Sequence, residues 1–220
     1  MRIFLNTYTP LGVNHRGWRA VETFGLHPLE DGSIRREPDF THARPGISGL
    51  CRPGAMQSIG LAVDDVLVYK TNSKGLTRSP KHVLGAILQV THIFDTHAEA
   101  ADWYLQQELG VPSNNITMAA LPLDHSHGIG CPAGLPPDAG HERWDREYRE
   151  RGSRHGNQYF IITNPIYTGT DYPASAEHWI HLRETLTGHH DRRWHATQKV
   201  PFELSAACYN EIFSLLPNPN

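Results

Sequence analysis

The stretch that decides the fold is HARPGISGLCRPGAMQSIGLAVDDVLVYKT, residues 42–71. Its first half has a proline or glycine every few positions and contains two arginines, Arg44 and Arg52, a composition that predicts a bent loop and disfavours a helix. Its second half, at 63–70, changes abruptly to the apolar pattern of a buried strand, which finishes in tyrosine, lysine and threonine. A basic, glycine-bent loop therefore leads directly into a strand with a polar end.

Further strands are predicted on both sides of this segment. Runs rich in β-branched residues indicate strands near 2–8, 83–93 and 158–164, and a shorter one over 116–121. These runs do not alternate with helices in the regular rhythm of a doubly wound sheet. We therefore expect an α+β fold, built from a curved, mostly antiparallel sheet or a small barrel with helices packed on it.

Helices are predicted in four places besides the charged segment at 141–154. A short helix is expected around 18–23, and the sequence THAE at 96–99 is a capping box that opens a helix running to about Leu109. Two more helices are expected at about 175–186 and 201–215. The last of them has apolar residues at helical spacing, which predicts a buried stripe made of Leu204, Cys208, Ile212 and Leu215.

Composition places the chain among ordinary globular proteins. It has 220 residues, of which 39% are hydrophobic and 20% are charged, and this length fits one domain with a sizeable core. We expect a single domain over 1–220, with a polar insertion around 122–157 and a helical C-terminus. No apolar run approaches the roughly 18 residues that span a bilayer, so no membrane contact is predicted. The three cysteines lie far apart, which disfavours disulfides and favours a reducing cytoplasm.

Charge limits the class of partner. The net charge is −3 with histidine neutral, whereas sequence-independent binding to nucleic acid needs many Lys and Arg contacts to phosphates. The chain is therefore not expected to bind polyanions in general, and any contact with nucleic acid has to come from a local patch.

Three motifs follow one another in the first half of the chain. They are the pair Ala43-Arg44, the strand LAVDDVLVYKT at 61–71 and the strand VLGAILQV at 83–90. In this order they resemble the PUA-like superfamily, within it the EVE, ASCH and YTH group, and PUA-related domains found beside nucleotide-modification genes in phages and bacteria. The family's Gly-Asp turn is Asp64-Asp65 here, a mild departure because aspartate tolerates the left-handed region better than most residues.

The resemblance implies a pocket that receives a single flipped base, often a modified one. Reading a base needs a flat aromatic wall, donors and acceptors for its edge, and cations for nearby phosphates. We therefore expect a nucleic-acid or nucleotide binding module that is associated with nucleic-acid modification. Its candidate site residues are Asp39, His42, Arg44, Ser48, Arg52, Tyr69, Thr71 and Asn72.

The expected roles divide by chemistry. The two arginines are candidates for phosphate contacts, and Asp39 is a candidate acceptor for an exocyclic amine. The stacking candidates are Tyr69, Trp18 and Trp103. The candidates for hydrogen bonds to the base edge are Ser48, Thr71 and Asn72. Structural roles compete with several assignments, since Tyr69 and Trp103 also fit core packing, Asp65 fits a turn, and Cys51 fits a small buried residue.

Two histidine-rich segments carry residue types that bind metals or catalyse hydrolysis. The first, at 123–131, offers Asp124, His125, His127 and Cys131. The second, at 188–195, offers His189, His190, Asp191 and His195. Neither has an established metal-ligand spacing, so polar loop histidines are the favoured interpretation, and no metal or cofactor is predicted.

Two other functions stay open. One is a nucleoside- or nucleic-acid-processing hydrolase that uses His and Asp residues of the insertion, with Asp124 and His125 as an acid and base pair. The other is a structural or partner-binding protein that docks through a charged helix at 141–154.

Overall fold

The structure is a computed structural model of the chain. It describes residues 1–13, 15–32, 37–49, 59–71, 82–112, 114–115, 117, 159–182 and 201–217. These residues form the strands β1 (Ile3–Tyr8), β2 (Gly46–Ser48), β3 (Val66–Thr71), β4 (Leu84–Phe94), β5 (Phe160–Thr168) and β6 (Phe202–Glu203). The helices are α1 (His15–Phe24), α2 (His97–Gln106) and α3 (Ala206–Ser214), with 3-10 turns at Leu11–Val13, Gly169–Asp171 and Ala176–His178. Within the described ranges, no helix is both long enough and apolar enough to cross a membrane.

These strands form one curled sheet in the order β2-β5-β4-β3-β1-β6. β1 and β3 are parallel, with Ile3 opposite Val66 and Tyr8 opposite Thr71, and the other neighbouring strands are antiparallel. Parallel neighbours need a crossover connection, which residues 9–65 provide. The α+β class and the curved sheet are thus confirmed, whereas the PUA-like assignment stays a prediction.

The sheet buries residues on both of its faces. On one, which we call the aromatic face, the core consists of Tyr8, Phe40, Ile47, Leu67, Tyr69, Ala86, Leu88, Val90 and Ile161. The opposite, helix-covered face packs against α2 through Phe160 and Ile162 of β5, and against α3 through a cluster that includes Ile3 and Val66. Successive residues of a strand point to opposite faces, so the neighbours Ile161 and Ile162 belong to different cores.

Local sequence signals locate most elements to within a few residues. The strands predicted near 2–8, 63–70, 83–93 and 158–164 are confirmed as β1, β3, β4 and β5, and the helix after the capping box is confirmed as α2. In that box the Thr96 hydroxyl accepts a hydrogen bond from Glu99 N, and the Glu99 carboxylate accepts one from Thr96 N, both at 3.1 Å. The short helix expected around 18–23 is confirmed as the longer α1.

Two predictions in the C-terminal half are wrong. The helix expected at 175–186 is not formed over 175–182, where a 3-10 turn precedes an extended segment: Leu84 N donates to Ile180 O (2.9 Å) and Leu182 N to His82 O (3.0 Å). β5 pairs with β4 only from Ala86 onward. The backbone groups of residues 82–84 therefore form hydrogen bonds with this extended segment instead of with β5. Strand pairing here overrides the local helical propensity.

The second error concerns the stripe on α3. Leu204, Cys208 and Ile212 are buried, but Leu215 is 39% exposed and Leu216 packs on the core instead. The helix ends at Ser214, so the helical spacing no longer applies beyond it. Apart from Thr117, the predicted strand at 116–121 and the insertion at 122–157 lie outside the described residues.

A turn of two aspartates fixes the start of β3 against the N-terminus. Asp64 has φ of +72°, in the left-handed region. Asp65 is buried, and its carboxylate accepts hydrogen bonds from Arg2 N (2.8 Å), from Ala62 N (3.0 Å) and from the Arg2 guanidinium. Burial alone would raise the pKa of Asp65, but the hydrogen bonds and charge of Arg2 outweigh it and hold that pKa below its usual value. Asp65 is therefore a turn former.

Asp65→Asn is expected to lower the free energy of unfolding by about 2 kcal/mol at neutral pH, because it removes a charged acceptor from N–H groups that stay buried. The pKa of Asp65 is lower in the folded state, so the carboxylate's contribution is complete above its unfolded-state pKa of about 4 and is lost as the pH falls below that value. Urea unfolding at neutral pH and in acid measures both effects.

The matched control is Asp64→Asn. Asp64 is an exposed neighbour, and asparagine also tolerates the left-handed region, so this variant is expected to unfold like the parent. Equal losses of stability in the two variants would contradict the role given to Asp65.

Candidate functional site

The carboxyl ends of β1 and β3 lie side by side because the two strands are parallel. Their last residue pairs are Asn6 with Tyr69, Thr7 with Lys70 and Tyr8 with Thr71. None of these six residues is more than 1% exposed, although polar groups are seldom buried so completely. We call this region the polar end and take it as the candidate functional site.

Three aromatic rings form a wall at the polar end, on the aromatic face. The Phe40 ring packs edge-on against the rings of Tyr8 and Tyr69, with centroid distances of 5.1 and 5.3 Å. The Tyr8 hydroxyl donates a hydrogen bond to Leu29 O (2.8 Å). The glycine of the VLGAILQV motif makes room for this ring, because a Cβ atom at Gly85 would come within 2.5 Å of it. Tyr8, Phe40 and Tyr69 are called the aromatic wall below.

A buried carboxylate and a buried amide lie beside this wall. Glu37, three residues before Phe40, is only 5% exposed, and its carboxylate accepts a hydrogen bond from Asn6 Nδ2 (3.4 Å). Glu37 N donates to Asp31 Oδ2 (3.2 Å), and Asn6 Oδ1 accepts from Thr7 N (3.0 Å). Burial of a carboxylate is unfavourable unless polar groups surround it. The wall and this pair together form a buried cluster of mixed apolar and polar character, which we take as the candidate lining of a ligand site.

Two of the sequence candidates belong to the polar end. Tyr69 is part of the aromatic wall. Thr71 is buried, and its hydroxyl accepts a hydrogen bond from Val83 N (3.0 Å), which ties β3 to the residue before β4. Asp39, the residue before Phe40, stabilises its own turn, since its Oδ1 accepts from Thr41 N (2.9 Å) and from the Thr41 hydroxyl (2.6 Å).

The loop that contains Phe40 continues past the edge of the sheet to the helix-covered face. There the His42 ring packs edge-on against Tyr104 of α2, with centroids 5.4 Å apart. The half-buried Arg44 side chain donates to Asn164 Oδ1 of β5 (2.6 Å). By alternation along β5, Asn164 points to the helix-covered face. His42 and Arg44 therefore lie on the other face from the aromatic wall.

Ser48 is buried on the helix-covered face as well. Its Oγ lies 3.1 Å from His97 Nε2, at the start of α2, and the His97 ring packs edge-on against Phe160 at 4.8 Å. Burial lowers the pKa of His97 to about 4, so the imidazole is neutral at pH 7. The structure thus places Ser48 and Tyr69 on opposite faces and does not bring all the candidates into one group.

The other stacking candidates are in packing positions. Trp103 is half-buried on α2, with ring centroids 5.3 Å from Tyr104 and 4.8 Å from His92. Trp18 is half-buried against a small cluster that contains Leu29. Outside the described residues lie Cys51, Arg52, Asn72, and both histidine-rich segments. Among the residues that are described, no three His, Cys, Asp or Glu side chains are placed to share a metal ion.

Six residues in or beside the polar end were not identified from the sequence: Asn6, Thr7, Tyr8, Glu37, Phe40 and Lys70. A usable signal exists only for the strand residues, because the apolar strands β1 and β3 both finish in polar groups. Glu37 and Phe40 belong to a loop without periodicity, so nothing in the local pattern indicates that they meet β1.

His97 is expected to make the fold less stable in mild acid. Its pKa is about 4 in the folded protein and 6.5 for an ordinary histidine, so below about pH 6.5 the unfolded chain binds a proton that the folded protein excludes. Stability is then lost as the pH falls from 6.5 to 4, by about 3 kcal/mol. Denaturant unfolding of the parent and of His97→Gln over this range measures the loss.

His97→Gln lacks this pH-dependent loss. As the pH falls from 6.5 to 4, its free energy of unfolding is therefore expected to rise relative to that of the parent by about 3 kcal/mol. His178→Gln, which removes an exposed histidine, is the control and follows the parent. Parallel pH curves for the parent and His97→Gln would show that His97 is not the residue responsible.

No protein-family model matches this chain, and no curated protein and no solved structure matches it either. The function therefore has to be argued from the polar end itself.

Proposed function

We propose that this chain is a binding module that recognises a single base of a nucleic acid or nucleotide, in particular a modified base, at the polar end of its sheet. The observation that carries the proposal is the buried pair of Glu37 and Asn6 beside the aromatic wall. A PUA-like fold, an association with nucleic-acid modification and a cytoplasmic location belong to the same proposal. A base taken out of its stack needs both an apolar surface and groups that read its edge.

The polar pair suits the edge of a heterocyclic base. The Glu37 carboxylate accepts hydrogen bonds from ring N–H and exocyclic amine groups, and the Asn6 amide can both donate and accept. Their mutual contact is 3.4 Å long, beyond the usual range for N–H···O bonds, and the edge of a base offers hydrogen-bonding groups to both side chains. A buried carboxylate also discriminates strongly, because the wrong base leaves an acceptor unsatisfied.

The aromatic wall supplies the apolar part of the site. Contact between a base and an aromatic side chain stabilises single-stranded complexes by about 1–3 kcal/mol per base, for any base. The wall therefore contributes affinity, whereas Glu37 and Asn6 contribute the choice of base.

The loop at 37–45 connects this site to a cation. It begins with Glu37, contributes Phe40 to the wall and ends near Arg44, whose guanidinium is held by Asn164. Because Arg44 lies on the other face from the wall, it is a candidate for contact with the phosphate of a neighbouring nucleotide in an oligonucleotide, not with that of the nucleotide whose base is bound. With a net charge of −3, the chain favours recognition of one or a few nucleotides over binding along a polyanion.

The hydrolase alternative depends on Asp124 and His125, which lie outside the described residues. The described residues offer the aromatic wall and the pair of Glu37 and Asn6, and on these observations we place binding ahead of catalysis.

The test is a calorimetric screen of modified and unmodified nucleosides and of short single-stranded and duplex oligonucleotides. For the ligand that binds, Glu37→Gln is expected to weaken affinity by about tenfold to a hundredfold, because an edge contact of this kind contributes roughly 1–3 kcal/mol. Glu22→Gln, which neutralises an exposed carboxylate on α1, is expected to bind as the parent does. The proposal fails if no ligand binds, or if Glu37→Gln folds and binds unchanged.

Arg44→Ala is expected to weaken oligonucleotide binding and to make the slope of log affinity against log salt shallower by about 1, the value for one lost phosphate contact. Its melting temperature is expected to change little, because one half-exposed side chain is removed. Fluorescence anisotropy across a salt series gives the slope, and Arg19→Ala, an exposed cation on α1, is the control. An unchanged slope for Arg44→Ala would remove Arg44 from the site.

A further inference from the structure

Lys70 is buried at the polar end, and none of the residues that the structure describes gives it a negative partner. Its side chain is 0% exposed and lies next to Thr7 in the sheet. Within the described ranges, its polar contact is with His82 Nδ1 at 3.2 Å, and neither ion pair found there involves it. An ammonium group has three N–H donors and no acceptor, so the imidazole nitrogen accepts one bond and two donors are left for other partners.

Two unfavourable features meet at this contact. Removing an ammonium from water without an anion is unfavourable, and here burial lowers the pKa of Lys70 to about 8. His82 has φ of +65°, in the left-handed region, which is unfavourable for a residue other than glycine. Such features persist mainly where function requires them.

The fold itself does not require a lysine at this position. The Cα partners of Lys70 are Thr7 in β1 and Leu84 in β4, and the neighbouring core on this face is apolar, with Val68 and Leu182 among its members. An unbranched apolar side chain of similar length would fill the same space without a charge. The lysine is therefore better explained by a ligand than by packing.

We propose that Lys70 is the cation of an oxyanion site at the polar end, and that a phosphate group is its ligand. The site offers a positive charge and N–H donors, and among the described residues no carboxylate competes for them. Phosphate supplies several strong acceptor oxygens, and its attraction to the ammonium is large in a site that excludes water. This site is on the helix-covered face and does not depend on the base-binding function proposed for the aromatic face.

The test measures phosphate binding to the full chain by calorimetry. The ligands are inorganic phosphate, a nucleoside 5′-monophosphate and the same nucleoside without phosphate, each compared with sodium chloride at equal ionic strength. The parent is expected to bind both phosphates, and Lys70→Met is expected to weaken that binding by about thirtyfold or more, the usual effect of removing one member of a buried charge pair. Arg19→Met, which removes an exposed cation from α1, should bind as the parent does.

A melting curve of the unliganded variants separates this role from a structural one. Lys70→Met is expected to melt at or above the temperature of the parent, because it replaces a buried charge with an apolar side chain of similar volume. If Lys70→Met does not fold, NMR of the parent protein replaces the variant. The ¹⁵Nζ resonance of Lys70 is then expected to shift when phosphate is added. A resonance that does not shift overturns the proposal.

The outcomes also distinguish the two sites. If the nucleoside binds tightly and its 5′-monophosphate binds with the same affinity, the oxyanion site is overturned and the base site stays intact. Binding of inorganic phosphate with no response to any nucleoside would support the oxyanion site and count against the base site. Absence of phosphate binding to the parent, or equal binding by folded Lys70→Met, would remove Lys70 from any such role.

Discussion

The parallel pairing of β1 with β3 is the constraint on which the rest of the structure depends. Parallel neighbours cannot be joined by a hairpin, so a long connection, residues 9–65, links β1 to β3. It contains α1, the loop at 37–45 and β2, which pairs with β5 at the far edge of the same sheet. The same pairing places the polar residues at the ends of both strands next to each other. The contact between Arg2 and Asp65 fixes the other end of the pair and so helps to set the register that puts Asn6 opposite Tyr69.

Elements that are specified locally could be predicted from the sequence, whereas those specified by a distant partner could not. The capping box of α2 is complete within 96–99, and its helix follows as expected. β2 has three residues in a run rich in glycine and proline, without alternation, and it exists because β5 pairs with it. The helix predicted over 175–182 fails in the same way, because the structure of this segment is decided by its pairing with residues 82–84.

The candidate site shows the same division. Tyr69 and Thr71 could be assigned to a polar strand end because the change from apolar to polar residues is visible within β3. Glu37 could not be assigned to it, because its partner Asn6 is 31 residues away and only the path of the crossover brings them together. The face on which Ser48 lies depends on where the loop passes the edge of β5, and a shift of one residue in a strand exchanges the two faces.

The polar end contains two buried charges of opposite sign that cannot neutralise each other. Glu37 lies on the aromatic face and Lys70 on the helix-covered face, with the backbone of the sheet between them. The groups proposed as ligands complement each charge on its own face, with the N–H donors of a base edge at Glu37 and an oxyanion at Lys70. A nucleotide has both groups, a base edge and a phosphate, and this gives the two faces of one strand end a common chemical class of ligand.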